Sequence, residues 1–432
     1  MQRWHTCPMT GTSRLARRIA RAALTTLFAL VLAACGSTAR HAAKPATAPR
    51  DTLILISIDG FRADYLDRGL TPRLSALAAS GVRAQGMRPS FPSLTFPNHY
   101  TLVTGLTPDH HGIVHNVVED PHLPGRFVYN RPDTTADQRW WNGGEPIWVG
   151  AQRQGVRTAT MFWPGSDVVV RDTRPWQWRA FDKNATPTAR VDTVLGWLAQ
   201  PDAERPRFVT LYFEQVDKAG HDYGPDSDET RAALVAIDAA LGRLVDGIAQ
   251  AGLAPTTNLV VVSDHGMIAT SRERLVFVED IVDLDRVRAV NLGITAGFEP
   301  HKGQSRYADA TLLTPRPHFG CWRKNAMPAR FRYGKNARVP TIVCLADPGW
   351  ILTTRESLAN RNGRVPGGEH GYDNALPQMA ALFVAAGPAF RHGAVVPPFD
   401  NVDVYPLLAH LLGIRPAANN GDPATMRAML AR

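Results

Sequence analysis

The sequence predicts an α/β fold: a mostly parallel, doubly wound sheet with helices on both faces and a small inserted subdomain. Three observations predict it. Short runs rich in Ile, Val and Leu recur along the chain, continuous enough to be strands buried on both faces. Amphipathic helical patterns alternate with them, the order that winds a parallel sheet. The 432 residues, 44% apolar and 20% charged, have a globular composition that excludes wholesale disorder and coiled coil.

In chain order, the first feature is a leader. Arg14, Arg17, Arg18 and Arg21 precede an eleven-residue apolar stretch, 22–32. That run is too short to span a bilayer as a helix but has the length of a signal-peptide core. It ends in Leu32-Ala33-Ala34-Cys35-Gly36, which resembles a bacterial lipobox. The expectation is therefore a lipoprotein signal peptide over 1–34, a flexible tether over 35–50 and a catalytic domain over 51–432. A lipid anchor at Cys35 implies the periplasmic side of a bacterial envelope, with Gly36 leaning toward the outer membrane; an ordinary signal sequence, or a start at Met9, is the alternative. The leader holds five arginines and no acid, so the formal charge of +9 falls to +4 for the remainder. No duplex nucleic acid binding is expected from that balance. Cys321 and Cys344 remain, either as a disulfide in an oxidising compartment or as two buried thiols.

In the domain itself, 53–58 reads as a buried parallel strand. Thr71-Pro72 then opens a helix that Gly81 closes. Further strands are expected at 157–162, 208–213, 259–263, 341–345 and 380–385. A long helix over 228–251 carries Leu234, Ile237, Leu241, Leu244, Val245 and Ile248 on one face. Residues 286–338 break the pattern; they are basic and rich in Gly, Pro and aromatics, and read as the inserted subdomain, most simply a solvated face.

Chemistry-bearing residues follow the strands. Asp59-Gly60 follows the first, Asp217 with His221 four residues on follows 208–213, and Asp264-His265-Gly266 follows 259–263. Ligands in open α/β sheets gather at the carboxyl ends of strands, so these groups can converge, and His370-Gly371 lies in a nearby glycine-rich loop. Asp and His together are an O/N donor set that suits zinc. A nucleophile candidate is Thr95, at the start of a short helix with Pro97 in its first turn, where helix N–H groups and dipole favour a phosphoryl group.

Six ordered blocks carry a family resemblance: residues 56–62, 93–99, Gly112-Ile113-Val114-His115-Asn116, Asp217-Lys218-Ala219-Gly220-His221, 263–267 and Gly368-Glu369-His370-Gly371. The chain resembles the nucleotide pyrophosphatase/phosphodiesterases of the alkaline phosphatase superfamily, over about residues 53–414, with an alkaline-phosphatase-like fold implied. The resemblance implies two zinc ions, one held by Asp217, His221 and His370, the other by Asp59, Asp264, His265 and the Thr95 hydroxyl. It implies in-line attack by Thr95, a phosphothreonine intermediate, release of nucleoside monophosphate, and Asn116 with the amides near Thr95 on a non-bridging oxygen.

Charge selects a diester: two zinc ions and three aspartates leave about +1, and residues 93–99 contain no arginine to clamp a monoester. The match makes Phe96 and Phe181 candidates to sandwich a nucleobase, with Tyr212 and Trp163 either lining the same slot or belonging to the core. Thr134-Thr135 stand where some relatives have a lysine. A phospholipid or choline-headgroup phosphodiesterase and a phosphonate hydrolase are the alternatives on the same metal site. His99, His110, His111 and His115 match no ligand position and read as structural.

Overall fold

The computed structural model describes residues 51–431; the signal peptide, tether and Cys35 read from the sequence lie outside them. Eight strands form the central sheet: β1 (Thr52–Ile58), β2 (Val82–Ala84), β3 (Thr158–Met161), β4 (Gln177–Arg179), β5 (Phe208–Phe213), β6 (Thr257–Val262), β7 (Phe383–Ala386) and β8 (Ala394–Val396). Their order is β8-β2-β7-β6-β1-β5-β3-β4. β1 is central, in parallel register with β5 on one side and β6 on the other. Only β7 runs against the rest of this sheet, pairing antiparallel with both β6 and β2.

Alternation along β1 explains why both faces are covered. Ile54, Ile56 and Ile58 point to one face, where they pack with Leu74, Val191, Val194, Leu234, Ile237 and Leu241. Those residues come from α1 (Pro72–Ser80), α4 (Pro187–Leu198) and α6 (Asp228–Gln250), which label α2 (Thr95–Thr104), α3 (Ile147–Arg153) and α5 (Gln215–Tyr223) between them. Leu53 and Leu55 point the other way, into a core shared with Tyr100 and Val103 of α2 and Trp148 of α3. A period of two on the strand thus feeds two separate apolar layers. Helix α6 begins as its sequence dictates: Ser227 caps the Thr230 N–H, with Asp228 and Glu229 in the first turn to complement the helix dipole.

The expected strand at 341–345 exists at Ile342–Ala346 but belongs elsewhere. It pairs antiparallel with Thr295–Pro300 and Phe319–Arg323 in a separate four-stranded sheet completed by Val287–Asn291. Val287, Phe298, Phe319 and Ile342 are buried there, in the same apolar layer as Leu53, Tyr100 and Trp148, so the segment packs into the domain rather than being only a solvated face. A disulfide joins Cys321 to Cys344 across directly opposed residues of this sheet. Among the described residues, no helix is long and apolar enough to cross a membrane.

Candidate functional site

Four chain segments meet at the carboxyl ends of β1, β5 and β6. β1 ends in Asp59-Gly60, and Gly60 (φ +68°) is the only residue type that serves there: a Cβ would lie 3.0 Å from both Cα and Cβ of Asp217. That close approach brings α5 against the strand end. Asp217 and His221, one helical turn apart on α5, face the same way, with Asp217 Oδ1 3.5 Å from His221 Nε2. β6 delivers Asp264 and His265, both fully buried. The short strand Gly368–Glu369 pairs with Ile268–Ala269 and so brings His370 next to His265, the two rings stacked 3.5 Å apart.

The three histidines share one arrangement. Nδ1 of His221 donates to Gly368 O at 2.9 Å, Nδ1 of His265 to Gly266 O at 2.9 Å, and Nδ1 of His370 to Ser93 O at 2.8 Å. Each ring is thereby fixed with Nε2 turned inward. His265 Nε2 lies 3.0 Å from Asp264 Oδ2 and 3.4 Å from Asp59 Oδ1; His370 Nε2 lies 3.7 Å from Asp217 Oδ1. Asp59 Oδ1, Asp217 Oδ1 and Asp264 Oδ2 are buried without a hydrogen-bond partner. Lone pairs therefore converge on lone pairs.

Carboxylate oxygens within 4.8 Å of one another, as in Asp59 and Asp217, repel by on the order of 3–4 kcal/mol in an effective dielectric near 20, so the centre calls for positive charge. Protonation shows the same demand. Burial, with the nearby Asp264 and Asp217, raises Asp59 well above the ordinary carboxyl range. Against burial, Asp264 raises His265, and Asp217 with Glu369 raises His221. Burial beside His265 and His221 pushes His370 the other way. A histidine whose far nitrogen is anchored on a backbone carbonyl is the usual support of a metal ligand, and the donor set fits zinc. Ligating atoms of Asp217, His221 and His370 lie within 4.8 Å of one another, as do those of Asp59, Asp217 and His265.

Thr95 is the first residue of α2, with its Oγ1 3.3 Å from His265 Nε2. The loop before it is fixed by Asn98, whose amide donates to Pro92 O and Leu94 O and whose Oδ1 accepts from Ser90 N and Asn401. Asn116 Oδ1 accepts the Phe96 N–H at 3.0 Å. The Phe96 N–H, one of the amides near Thr95 that the resemblance assigns to a non-bridging oxygen, is thus committed to Asn116, whose own NH2 points elsewhere as a donor. Asn116 lines a cleft of about 740 Å³ together with Leu94, Tyr129, His221, Glu369 and His370.

The candidate aromatics divide. Phe96 is half-buried against Phe127, Tyr129 and Trp141. Phe181 is 54% exposed, its ring set edgewise on Phe162 and Tyr212. Tyr212 and Trp163 do not line a slot: both are buried, Tyr212 Oη donating to Asp59 Oδ2 at 2.7 Å and Trp163 Nε1 to His99 O at 3.0 Å. Strand-end aromatics with a polar tip turn inward when a buried acceptor awaits them.

His99 is the residue the sequence reading undervalued. Its Nδ1 lies 2.9 Å from Thr95 O and 3.3 Å from Asp264 Oδ2, and its Nε2 2.8 Å from Ser57 Oγ. It braces the start of α2 and Asp264 together, and the Thr95–His99 spacing of four on one helix is the signal that shows it. His111 and His115 are structural as expected, each accepting a backbone N–H at Nδ1 and donating from Nε2 to a carbonyl. Tyr129, 46% exposed on the cleft, had no sequence signal.

Known proteins share this architecture. The family model for type I phosphodiesterase/nucleotide pyrophosphatase matches residues 53–373. An uncharacterised pyrophosphatase/phosphodiesterase of Schizosaccharomyces pombe is 38% identical over 385 residues, covering 86% of this chain and 79% of the relative. Ectonucleotide pyrophosphatase/phosphodiesterase family member 3 of Bos taurus is 37% identical over 406 residues, covering 91% of this chain but only 46% of the relative. The chain therefore spans under half the length of the bovine protein. Murine ectonucleotide pyrophosphatase/phosphodiesterase 5, solved as an inactive threonine-to-alanine variant in complex with AMP, superposes with a TM-score of 0.84 at 32% identity, covering 88% of this chain and all of that one. With the strand-end Asp and His residues, the fold and the sequence in agreement, the chain belongs to the type I phosphodiesterase/nucleotide pyrophosphatase family.

Proposed function

We propose that this protein is a two-zinc phosphodiesterase/pyrophosphatase that cleaves nucleotide phosphodiester or phosphoanhydride bonds and releases nucleoside monophosphate. The observation that carries this reading is the inward convergence of three carbonyl-anchored histidines and three unpartnered carboxylate oxygens beside the Thr95 hydroxyl. Asp217, His221 and His370 would hold one ion; Asp59, Asp264, His265 and Thr95 the other. When bound, the ions lower the pKa of the Thr95 hydroxyl and neutralise charge on the phosphoryl group and leaving oxygen.

This chain's own residues do the rest. The start of α2 places Thr95 Oγ1 where the helix dipole favours an incoming anion. Asn116, held by the Phe96 N–H, offers its NH2 to a non-bridging oxygen and adds no charge, which suits a diester centre better than a monoester. Oγ1 bonds to phosphorus as the bond to the leaving oxygen breaks, giving a nucleotidylated threonine. Water then displaces Oγ1 and frees the monophosphate. Phe96, with Phe181 exposed near Tyr212, is the proposed contact for the base.

The murine relative's complex with AMP supports a nucleotide product. The test is AMP release from ATP by chromatography, before and after exhaustive chelation and after zinc is restored. Activity lost on chelation and regained with about two zinc ions per chain is expected; full activity in metal-free protein would overturn the reading. The proposal extends to an envelope lipoprotein acylated at Cys35, supported by the lipobox and by a disulfide suited to an oxidising compartment. Cys35→Ala is expected to lose membrane association, and unchanged fractionation would refute the anchor.

A further inference from the structure

The Asp/His centre lies at the carboxyl ends of the strands; the amino ends carry a different surface. At the outer edge of the sheet the chain enters β4 through Arg174-Pro175-Trp176. Register fixes the level of that entry: Gln177 pairs with Ala159, Ala159 with Val209, and Val209 with Ile54. Trp176 therefore stands level with Leu53 at the amino end of β1, about 20 Å along the strand direction from the level of Asp59.

Trp176 is 56% exposed, against the usual burial of an indole. Three guanidinium groups stand over the tryptophans of this edge: Arg157 is 5.5 Å from the Trp176 ring, Arg174 4.9 Å from Trp178, and Arg179 5.7 Å from Trp197 of α4. None of the three makes an ion pair among the described residues. Asp202 and Glu204, in the turn before β5, are matched there by Arg205 and Arg207, both of which lie against Asp202. A charge alone would blunt an open sheet edge against pairing with another chain; it would not call for an indole in solvent. An indole ringed by cations is the composition that meets a lipid surface, the ring at headgroup depth and the guanidinium groups on the phosphates.

The chain enters the domain at this same end. Asp51 precedes β1, which lies three strands from β4, about 15 Å across the sheet. Sixteen residue steps, 35 to 51, separate it from Cys35, a reach of at most about 55 Å.

We infer that the β4 edge, with Trp176 at its centre and Arg157, Arg174 and Arg179 around it, docks on the anionic phospholipid surface in which Cys35 is anchored, so that the Asp/His cleft faces away from the bilayer into solution. The inference rests on the lipoprotein reading and deepens it. Each arginine at an anionic surface contributes about fivefold in partition. A patch of this size orients a domain that an acyl anchor holds, and does not retain the domain on the membrane alone.

The experiment uses the acylated protein in vesicles of brominated phosphatidylcholine mixed with phosphatidylglycerol, and reads quenching of tryptophan fluorescence by the bromine atoms. The wild type is expected to be quenched, and Trp176→Ala to lose most of that quenching. Arg157→Gln combined with Arg174→Gln keeps the Trp176 reporter and is expected to lower the quenching. Raising the salt to about 0.5 M is expected to act on the wild type in the same direction, because it screens the headgroup charge. Circular dichroism is expected to match the wild type in both variants. Equal quenching in wild type and Trp176→Ala overturns the docking surface, as does quenching that the arginine changes leave untouched. A wild type that dimerises in solution and becomes monomeric in Trp176→Ala gives the edge to a second copy and also overturns it. Mass spectrometry showing an unmodified Cys35 overturns the lipoprotein reading itself.

Discussion

Removing one oxygen atom tests how the centre is held. Tyr212→Phe keeps the ring that packs against His99 and Phe181 and deletes the hydroxyl that donates to Asp59 Oδ2 at 2.7 Å. Asp59 is buried and crowded by Asp264 and Asp217, which raise its pKa; the Tyr212 hydrogen bond is the opposing influence. A hydrogen bond to a charged group contributes about 1.5–3 kcal/mol. Without it Asp59 binds its proton more tightly and its carboxylate is less fixed, so metal must compete harder. The expected result is a 10- to 100-fold weaker zinc affinity, the range typical of lost outer partners of a ligand. Competition against a chromophoric chelator at pH 7.5 measures it, with circular dichroism to show the fold intact. Wild-type affinity in a folded Tyr212→Phe protein would refute the argument that this hydroxyl supports the metal centre.

Phe96→Ala is expected to lower kcat/KM for nucleotide diesters by roughly five- to 150-fold, from a stacking contact of ~1–3 kcal/mol, with a smaller loss on a chromogenic diester that has no base; equal losses would mean the ring only packs the Thr95 loop. Stability should fall in mild acid, because burial holds His111 down to about 3 and His115 down to about 4. Each accepts a backbone N–H at Nδ1, a role that protonation abolishes. Their folded pKa values lie below the unfolded one, so the unfolded chain carries roughly 1.4 to 1.8 more protons between pH 6 and 4, and stability drops by roughly 2–2.5 kcal/mol per pH unit there. Urea unfolding of the wild type and His111→Gln should show the variant's slope shallower by about 1.4 kcal/mol per unit; equal slopes would contradict neutral burial. Gly266→Ala is expected to fail to accumulate as folded protein in an expression and thermal-melt comparison, because its Cβ would stand 1.9 Å from Gln378 O; a wild-type melting temperature would refute that packing.

Much of the fold was legible because β1, β5 and β6 are continuous apolar runs whose ends are marked by Asp-Gly, Glu-Gln and Asp-His-Gly. The helix α6 was legible from its apolar stripe. Three short strands, Val82–Ala84, Gln177–Arg179 and Ala394–Val396, were not, since three residues carry no measurable period. Ile342–Ala346 was legible as a strand but not as part of the antiparallel insertion, because a strand buried on both faces looks alike in either sheet. At the site, ligand types and spacings placed Asp59, Asp217, His221, Asp264, His265 and His370 in one centre. Side-chain direction was another matter: nothing in the sequence tells Tyr212 to reach Asp59, or sets Tyr129 on the wall of the cleft that His221 and His370 line. Such contacts arise from tertiary packing, which local pattern does not encode.

The central claim is that Thr95 attacks phosphorus within a metal centre built by the six Asp and His side chains. The most direct test is kcat/KM for ATP of Thr95→Ala, measured on protein whose zinc content is determined in the same sample. A loss of at least about a thousandfold with most of the zinc retained is expected, because the nucleophile is gone while the three aspartates remain and the three histidines keep their backbone anchors. Turnover within tenfold of wild type in such metal-loaded protein would contradict it.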